Sequence, residues 1–284
     1  MLVLNFHRVE TATGFEITRL SPGRLERFLD LIQTSGLRVA RPDDGIQMGG
    51  HDILLTFDDG FESIAEFALP RIVRRGWSAL VFLVAGSVSG YDDWDVRILG
   101  RRRRMLSWDQ VRAWSRCGIC FGSHTMTHAD PTALSERALR YELRTSKVLI
   151  EDELGRRIEY LSYPFGRHNT RVRAIAGECG YRAAFATSGG LSSGNTFALP
   201  RTTVNGLMTL SQFTSILSSA TQPGTPRRAH AMTRGIHRFL EHLNAGSATV
   251  ISWRRMKRRG GQSAEPQAAP EMIMTPRPHI RAEG

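Results

Sequence analysis

The stretch Ile53-Leu54-Leu55-Thr56-Phe57-Asp58-Asp59-Gly60 decides the reading of this chain. A short apolar run rich in branched residues reads as a buried strand, and this one ends in two adjacent carboxylates followed by glycine. In parallel α/β folds, reacting groups gather where strands end and loops begin. Neighbouring carboxylates at such an end point in different directions, so beside a metal one can ligate while the other accepts a proton. Taken alone, the pair also reads as an N-cap for a helix after Gly60.

The same pattern recurs on both sides of this stretch. Apolar runs at 2–6, 79–84, 119–123, 160–163 and 183–187 alternate with segments of helical period, which predicts an α/β protein with parallel strands. Ser21 before Pro22 opens a helix running toward Gly36. Ser107 and Gln110 form a capping box, and the longest helix spans 135–154, stopped by Gly155. Two further strand ends carry chemistry: Ser123-His124 and Pro164-Phe165-Gly166. His124 and His128 are spaced i, i+4, which is expected to place both imidazoles on one face of a helical turn, a spacing that suits a divalent metal. Two histidines and one carboxylate leave positions open for water and substrate. A chance pair of loop histidines is the alternative.

Composition narrows the class. With 284 residues, 41% hydrophobic and 23% charged, the chain has the make-up of a globular protein able to bury a large core. The net charge of +11 suggests nucleic acid until its position is considered: residues 221–284 hold 11 Lys and Arg against 4 Asp and Glu, so +7 belongs to the tail. With no recognised binding motif, a nucleic-acid partner is not expected. No signal peptide is read at the N-terminus, and no run of about 18 apolar residues occurs. Three cysteines, Cys117, Cys120 and Cys179, fit a reduced compartment, so a cytoplasmic location is expected. Cys117 and Cys120 form a C-x-x-C at a helix end rather than a helix start, which argues against redox use.

Thr56-Phe57-Asp58-Asp59-Gly60 and Ser123-His124-Thr125-Met126-Thr127-His128, with Leu106-Ser107-Trp108-Asp109 and Gly180-Tyr181-Arg182-Ala183 around them, resemble the polysaccharide deacetylase (NodB-homology) family of carbohydrate esterases. The resemblance covers roughly residues 1–205. It implies a distorted (β/α) barrel, with Asp58 as general base and Asp59, His124 and His128 as metal ligands. Pro164, Phe165 and Gly166 would line the substrate groove, the Phe165 backbone N–H facing the oxyanion. Ser162 stands where many members have an arginine, and Phe165 where a tyrosine is common; Arg201 is the candidate for the missing charge. Members also carry a histidine acid in a Leu-x-His segment near the C-terminal end of the barrel. Here Leu4-Asn5-Phe6-His7 at the N-terminus resembles the circularly permuted arrangement of poly-N-acetylglucosamine deacetylases, which makes His7 the candidate acid and His168 the next. Taken alone, His7 reads as structural.

The expectation is therefore a barrel over residues 1–220, a basic amphipathic extension over 221–260 and a disordered tail over 261–284. In the extension Met232, Ile236, Phe239, Leu240 and Leu243 recur at helical spacing, and Trp253 is flanked by Arg254, Arg255, Lys257, Arg258 and Arg259. That stripe packs on the barrel or binds a peripheral membrane surface. The run Arg101–Arg104, near Tyr91, Trp94 and Trp108, reads as a solvated loop or as a contact for an anionic glycan. The expected reaction is metal-dependent hydrolysis of an N-acetyl group on a polysaccharide, oligosaccharide or lipid-linked sugar. Zinc is the default metal, with cobalt, nickel, iron or manganese compatible. A sugar O-deacetylase or deformylase would use the same site, and a non-catalytic glycan-binding or membrane-associated scaffold would keep the barrel without turnover.

Overall fold

The computed structural model describes residues 1–11, 18–46, 52–94, 102–187 and 195–221. The expected basic extension and tail lie outside the described residues from 222 onward. In chain order the strands are β1 (Leu2–Phe6), β2 (Arg8–Val9), β3 (Arg19–Leu20), β4 (Arg38–Val39), β5 (Asp52–Phe57), β6 (Leu80–Leu83), β7 (Cys120–Ser123), β8 (Tyr160–Ser162), β9 (Ala183–Ala186), β10 (Leu199–Pro200) and β11 (Thr202–Thr203). The helices are α1 (Pro22–Thr34), α2 (Glu62–Phe67), α3 (Leu69–Arg74), α4 (Trp108–Arg116), α5 (Glu136–Leu154), α6 (Thr170–Glu178) and α7 (Leu210–Thr221).

The main sheet runs β10-β9-β8-β7-β6-β5-β1-β11, with β4 also on β5, and every pairing is parallel. Closure comes from one short segment. Residues 199 and 200 pair with Phe185 and Ala186, while residues 202 and 203 pair with Leu4 and Asn5. A five-residue stave thus joins the last full strand to the first and turns the sheet into a distorted (β/α) barrel. Its two halves are separated by Arg201, too short and too interrupted to carry a strand periodicity in sequence.

Side chains alternate across this wall, as the period of 2 demands. Leu2, Leu4, Phe6, Leu55, Phe57 and Val81 pack outward under the helices. Val3, Leu54, Leu80, Phe82, Cys120, Tyr160, Phe185 and Leu199 fill the barrel itself. Gly122 continues the inward series on β7. A Cβ there would lie 2.7 Å from the Phe82 ring, so the glycine makes room for the phenylalanine that plugs the barrel. One step further toward the C-terminal ends, the inward positions turn polar: Asn5, Thr56, Asp58, His124, Ser162 and Arg201.

Helix ends follow their sequence signals. Ser21 caps α1 by accepting from the Arg24 N–H, and the box of Ser107 and Gln110 is closed in both directions on α4. Ser135 caps α5, and Gly155 ends it in the left-handed region at φ 63°. The α1 residues Leu25, Phe28, Leu29 and Ile32 form a buried stripe, with the Phe28 ring tilted against that of Phe213 of α7 at 4.3 Å between centroids. Such fully buried side chains contribute about 1.5–3 kcal/mol each. No helix among the described residues is long and apolar enough to cross a membrane.

Candidate active site

Asp58 continues the inward face of β5 past its end. Its carboxylate is almost fully enclosed and accepts three hydrogen bonds from two neighbours: Arg201 Nη1 donates to Oδ1 at 2.8 Å, Arg201 Nη2 to Oδ2 at 2.7 Å, and Asn5 Nδ2 to Oδ2 at 3.0 Å. Arg201 is itself anchored. It donates to the Ser162 hydroxyl at 2.8 Å and to Asn5 Oδ1 at 3.0 Å, and lies over the rings of Phe82 and Phe185 at 5.6 and 5.7 Å. Burial would raise the Asp58 pKa, but the Arg201 guanidinium, helped by His124 and His7, outweighs it and holds the carboxyl well below the usual range. The side chain is therefore an oriented carboxylate.

Asp59 turns the other way because its backbone is left-handed, at φ 72°, a conformation that costs a non-glycine residue about 1–2 kcal/mol. Its Oδ1 lies 3.4 Å from His124 Nε2 and 3.4 Å from His128 Nε2. Those separations are beyond the ordinary N–H···O range of about 3.2 Å. They match the roughly 3.4 Å edge expected between donors held about 2.0–2.1 Å from a tetrahedral centre. The three donor atoms converge within 4.8 Å of one another, and they form the candidate metal cluster among the described residues. Burial would raise the Asp59 pKa, yet the two histidines facing it, and His7, bring it well below the usual value. Burial lowers the pKa of His128 and favours the neutral imidazole that a metal needs. Burial would also lower that of His124, but Asp58 and Asp59 raise it.

The i, i+4 histidines do not sit on a helical turn. His124 follows β7, and the chain to His128 is a non-helical turn with Thr125 at φ 67° and His128 at φ 63°. The spacing works because the turn is tied from both ends. Thr125 Oγ1 accepts from the His128 N–H at 3.1 Å. Glu142, on the inner face of α5, accepts from the N–H groups of Met126 and Thr127 at 2.9 and 2.8 Å and from the Thr127 hydroxyl at 2.7 Å. His124 Nδ1 lies 2.8 Å from the Ser162 carbonyl oxygen; with Nδ1 protonated and donating there, Nε2 keeps its lone pair for the cluster. Ser162 thus holds the histidine with its carbonyl and Arg201 with its hydroxyl.

Pro164, Phe165 and Gly166 form a tight turn after β8. Phe165 is left-handed at φ 58°, and its ring meets His128 edge-on at 4.8 Å. Gly166 is left-handed too, and a Cβ there would lie 2.6 Å from the Thr187 backbone N, so only glycine lets this loop rest on the end of β9. His7 follows β1 at the same mouth, close enough for its charge to lower both Asp58 and Asp59. His168 points elsewhere: Arg173 Nη1 lies 3.0 Å from its Nδ1, and its ring faces Tyr163 at 5.2 Å. The N-cap reading of the aspartates fails, since Phe61 precedes α2 and makes no side-chain cap. Arg102, Arg103 and Arg104 are paired with Asp93, Asp92 and Glu62; Arg101 lies outside the described residues. Cys117 caps the end of α4, and burial raises the Cys120 thiol to about 12, which keeps that thiol protonated.

Sequence reasoning missed Asn5, Glu142 and Trp94. A polar side chain inside Leu2–Phe6 and an acid between Leu139 and Leu143 on the buried face of α5 were signals for the first two. Trp94 reads in sequence only as an aromatic beside the Arg101–Arg104 run, and nothing there ties it to His128, on which its ring stacks at 5.1 Å.

This arrangement has known counterparts. The profile of the family described as polysaccharide deacetylase matches residues 45–184, which include both aspartates and both histidines. The Bacillus subtilis (strain 168) protein YxkH is 23% identical over 226 residues, covering 76% of each chain. Among solved structures, IcaB from Ammonifex degensii superposes with a TM-score of 0.64 at 23% identity, covering 78% of this chain and 97% of that one. The Streptococcus pyogenes deacetylase PplD superposes with a TM-score of 0.66 at 18% identity, covering 78% and 98%. Those structural likenesses show the barrel, and the profile shows that its motif-bearing part, residues 45–184, is similar to the polysaccharide deacetylase domain.

Proposed function

We propose that this protein hydrolyses N-acetyl groups on a carbohydrate in a metal-dependent reaction, with Asp59, His124 and His128 holding the ion. The observation that carries this reading is the division between two adjacent carboxylates: Asp58 is clamped by Arg201, while Asp59 faces two imidazole nitrogens at 3.4 Å. A divalent ion there, zinc by default, supplies Lewis-acid polarisation of a carbonyl and a lowered pKa for water. The likeness to a deacetylase solved in complex with acetate supports an acetyl substrate.

The chain's own residues then have distinct tasks. Asp58, fixed in its ionised form, takes a proton from the attacking water as that oxygen bonds to the acetamide carbon. The backbone N–H of Phe165 faces the developing oxyanion. His7 donates a proton to the nitrogen as the C–N bond breaks, so acetate and a free amine leave. The order of the strands, with β1 first and His7 at its end, supports the permuted arrangement read from sequence.

Incubation of the full chain with N-acetylated oligosaccharides and lipid-linked sugars, read by mass spectrometry, should show loss of one acetyl with a new amine and free acetate. Chelation should abolish this and zinc restore it. Asp58→Asn should keep the metal and lose turnover, whereas Asp59→Ala should lose both. Turnover by metal-free protein, release of formate, or a new hydroxyl in place of the amine would each overturn the reading.

A further inference from the structure

A metal-ligating imidazole ordinarily has its second nitrogen tied to a carboxylate, a carbonyl or water, and that contact sets the angle of the ring. His124 follows the rule through Ser162. His128 does not: its Nδ1 is buried and has no hydrogen-bond partner among the described residues. Its backbone is left-handed at φ 63°, so the ring is aimed by something other than helical geometry or a hydrogen bond. What surrounds it is aromatic. Trp94 stacks on it at 5.1 Å and 28° between planes, and Phe165 closes the other approach edge-on at 4.8 Å and 71°.

Trp94 is held firmly enough to do this. It stands two residues beyond Asp92, whose fully buried carboxylate accepts from the Arg103 N–H at 2.7 Å and from Arg103 Nη1 at 3.1 Å. The same excursion is pinned by Asp92 N–H to the Arg103 carbonyl at 3.0 Å, and by Leu106 N–H to the Gly60 carbonyl at 2.9 Å, next to Asp59. The ring over His128 is therefore anchored to the loop that carries the opposite ligand.

We infer that Trp94 is a positioning residue for the metal centre: its indole takes the place of the missing hydrogen bond and holds the His128 imidazole with Nε2 toward Asp59 and His124. This rests on the assignment of Asp59, His124 and His128 as ligands. It gives the excursion between β6 and α4 a task at the metal rather than at the sugar alone.

The test measures zinc binding to the full-length metal-free protein by calorimetry, with thermal unfolding of the same samples to show that each variant is folded. Wild type should bind one equivalent, and His128→Ala should lose that binding. Trp94→Leu, which keeps apolar cover without a flat ring, should weaken it by about 10- to 100-fold, the range usual for groups supporting a ligand. Trp94→Phe should recover most of the loss. Cobalt substitution should show altered ligand-field absorption in Trp94→Leu and wild-type absorption in Trp94→Phe. If wild type binds no zinc, or His128→Ala binds it as tightly as wild type, the ligand assignment itself fails and this inference with it. If those controls behave but Trp94→Leu binds zinc like wild type with only KM raised, Trp94 is a wall for the sugar and the inference alone is overturned.

Discussion

Replacing Arg201 with alanine should destabilise the protein by about 3–5 kcal/mol, the usual cost of stripping one partner from a buried ion pair. The structure supports the upper part of that range. The Arg201 side chain is 0% exposed and that of Asp58 4%, so neither charge is screened by solvent. Two bonds to Asp58, at 2.8 and 2.7 Å, are charge-assisted and count about 1.5–3 kcal/mol each. The variant also strands the Ser162 hydroxyl and leaves Asn5 Oδ1 with only the Thr56 hydroxyl as donor. Urea unfolding with chelator present, so that metal binding does not contribute, should show the loss directly. Combining Arg201→Met with Asp58→Asn should recover part of it, because no lone charge then remains buried, and the coupling in the double-mutant cycle should be on the order of 0.5–3 kcal/mol. Arg201→Lys keeps the charge but not the planar fork, and should fall between wild type and alanine in both stability and turnover. An Arg201→Ala protein within about 0.5 kcal/mol of wild type, or a cycle with no coupling, would refute the view that this pair is what holds Asp58.

His7→Ala should keep the metal and the fold but lose about 10²- to 10⁴-fold in acetamide turnover, while an activated ester, whose leaving group needs no proton, is much less affected; acetamide turnover near wild type would move the acid elsewhere. Glu142→Ala leaves the Met126 and Thr127 N–H groups without their carboxylate and should cost about 2–3 kcal/mol in urea unfolding, together with weaker zinc binding in titration. Unchanged values on both would show that the turn holds its shape without α5.

The sequence by itself determined the class of fold and picked out the candidate metal ligands that the structure brings together. Branched apolar runs, capped helices and glycine stops are local signals, and each emerged within a residue or two of its place: 2–6 as β1, 135–154 as α5, Ser107 with Gln110 at the start of α4. Asp58, Asp59, His124 and His128 were legible because strand ends are the places where a parallel barrel exposes chemistry. The tertiary structure decided what local pattern does not encode. The closing stave was invisible because its residues pair half with β9 and half with β1, two partners far away in sequence. That register alone turns Arg201 inward onto Asp58, where a residue of β8 would otherwise be sought. The histidine turn is likewise a product of distant contacts: i, i+4 spacing favours a helix, but Glu142 draws the backbone into a left-handed path that no propensity predicts. Trp94 meets His128 through a ring contact between segments well separated in sequence, and contacts of that kind exist only once the chain is folded.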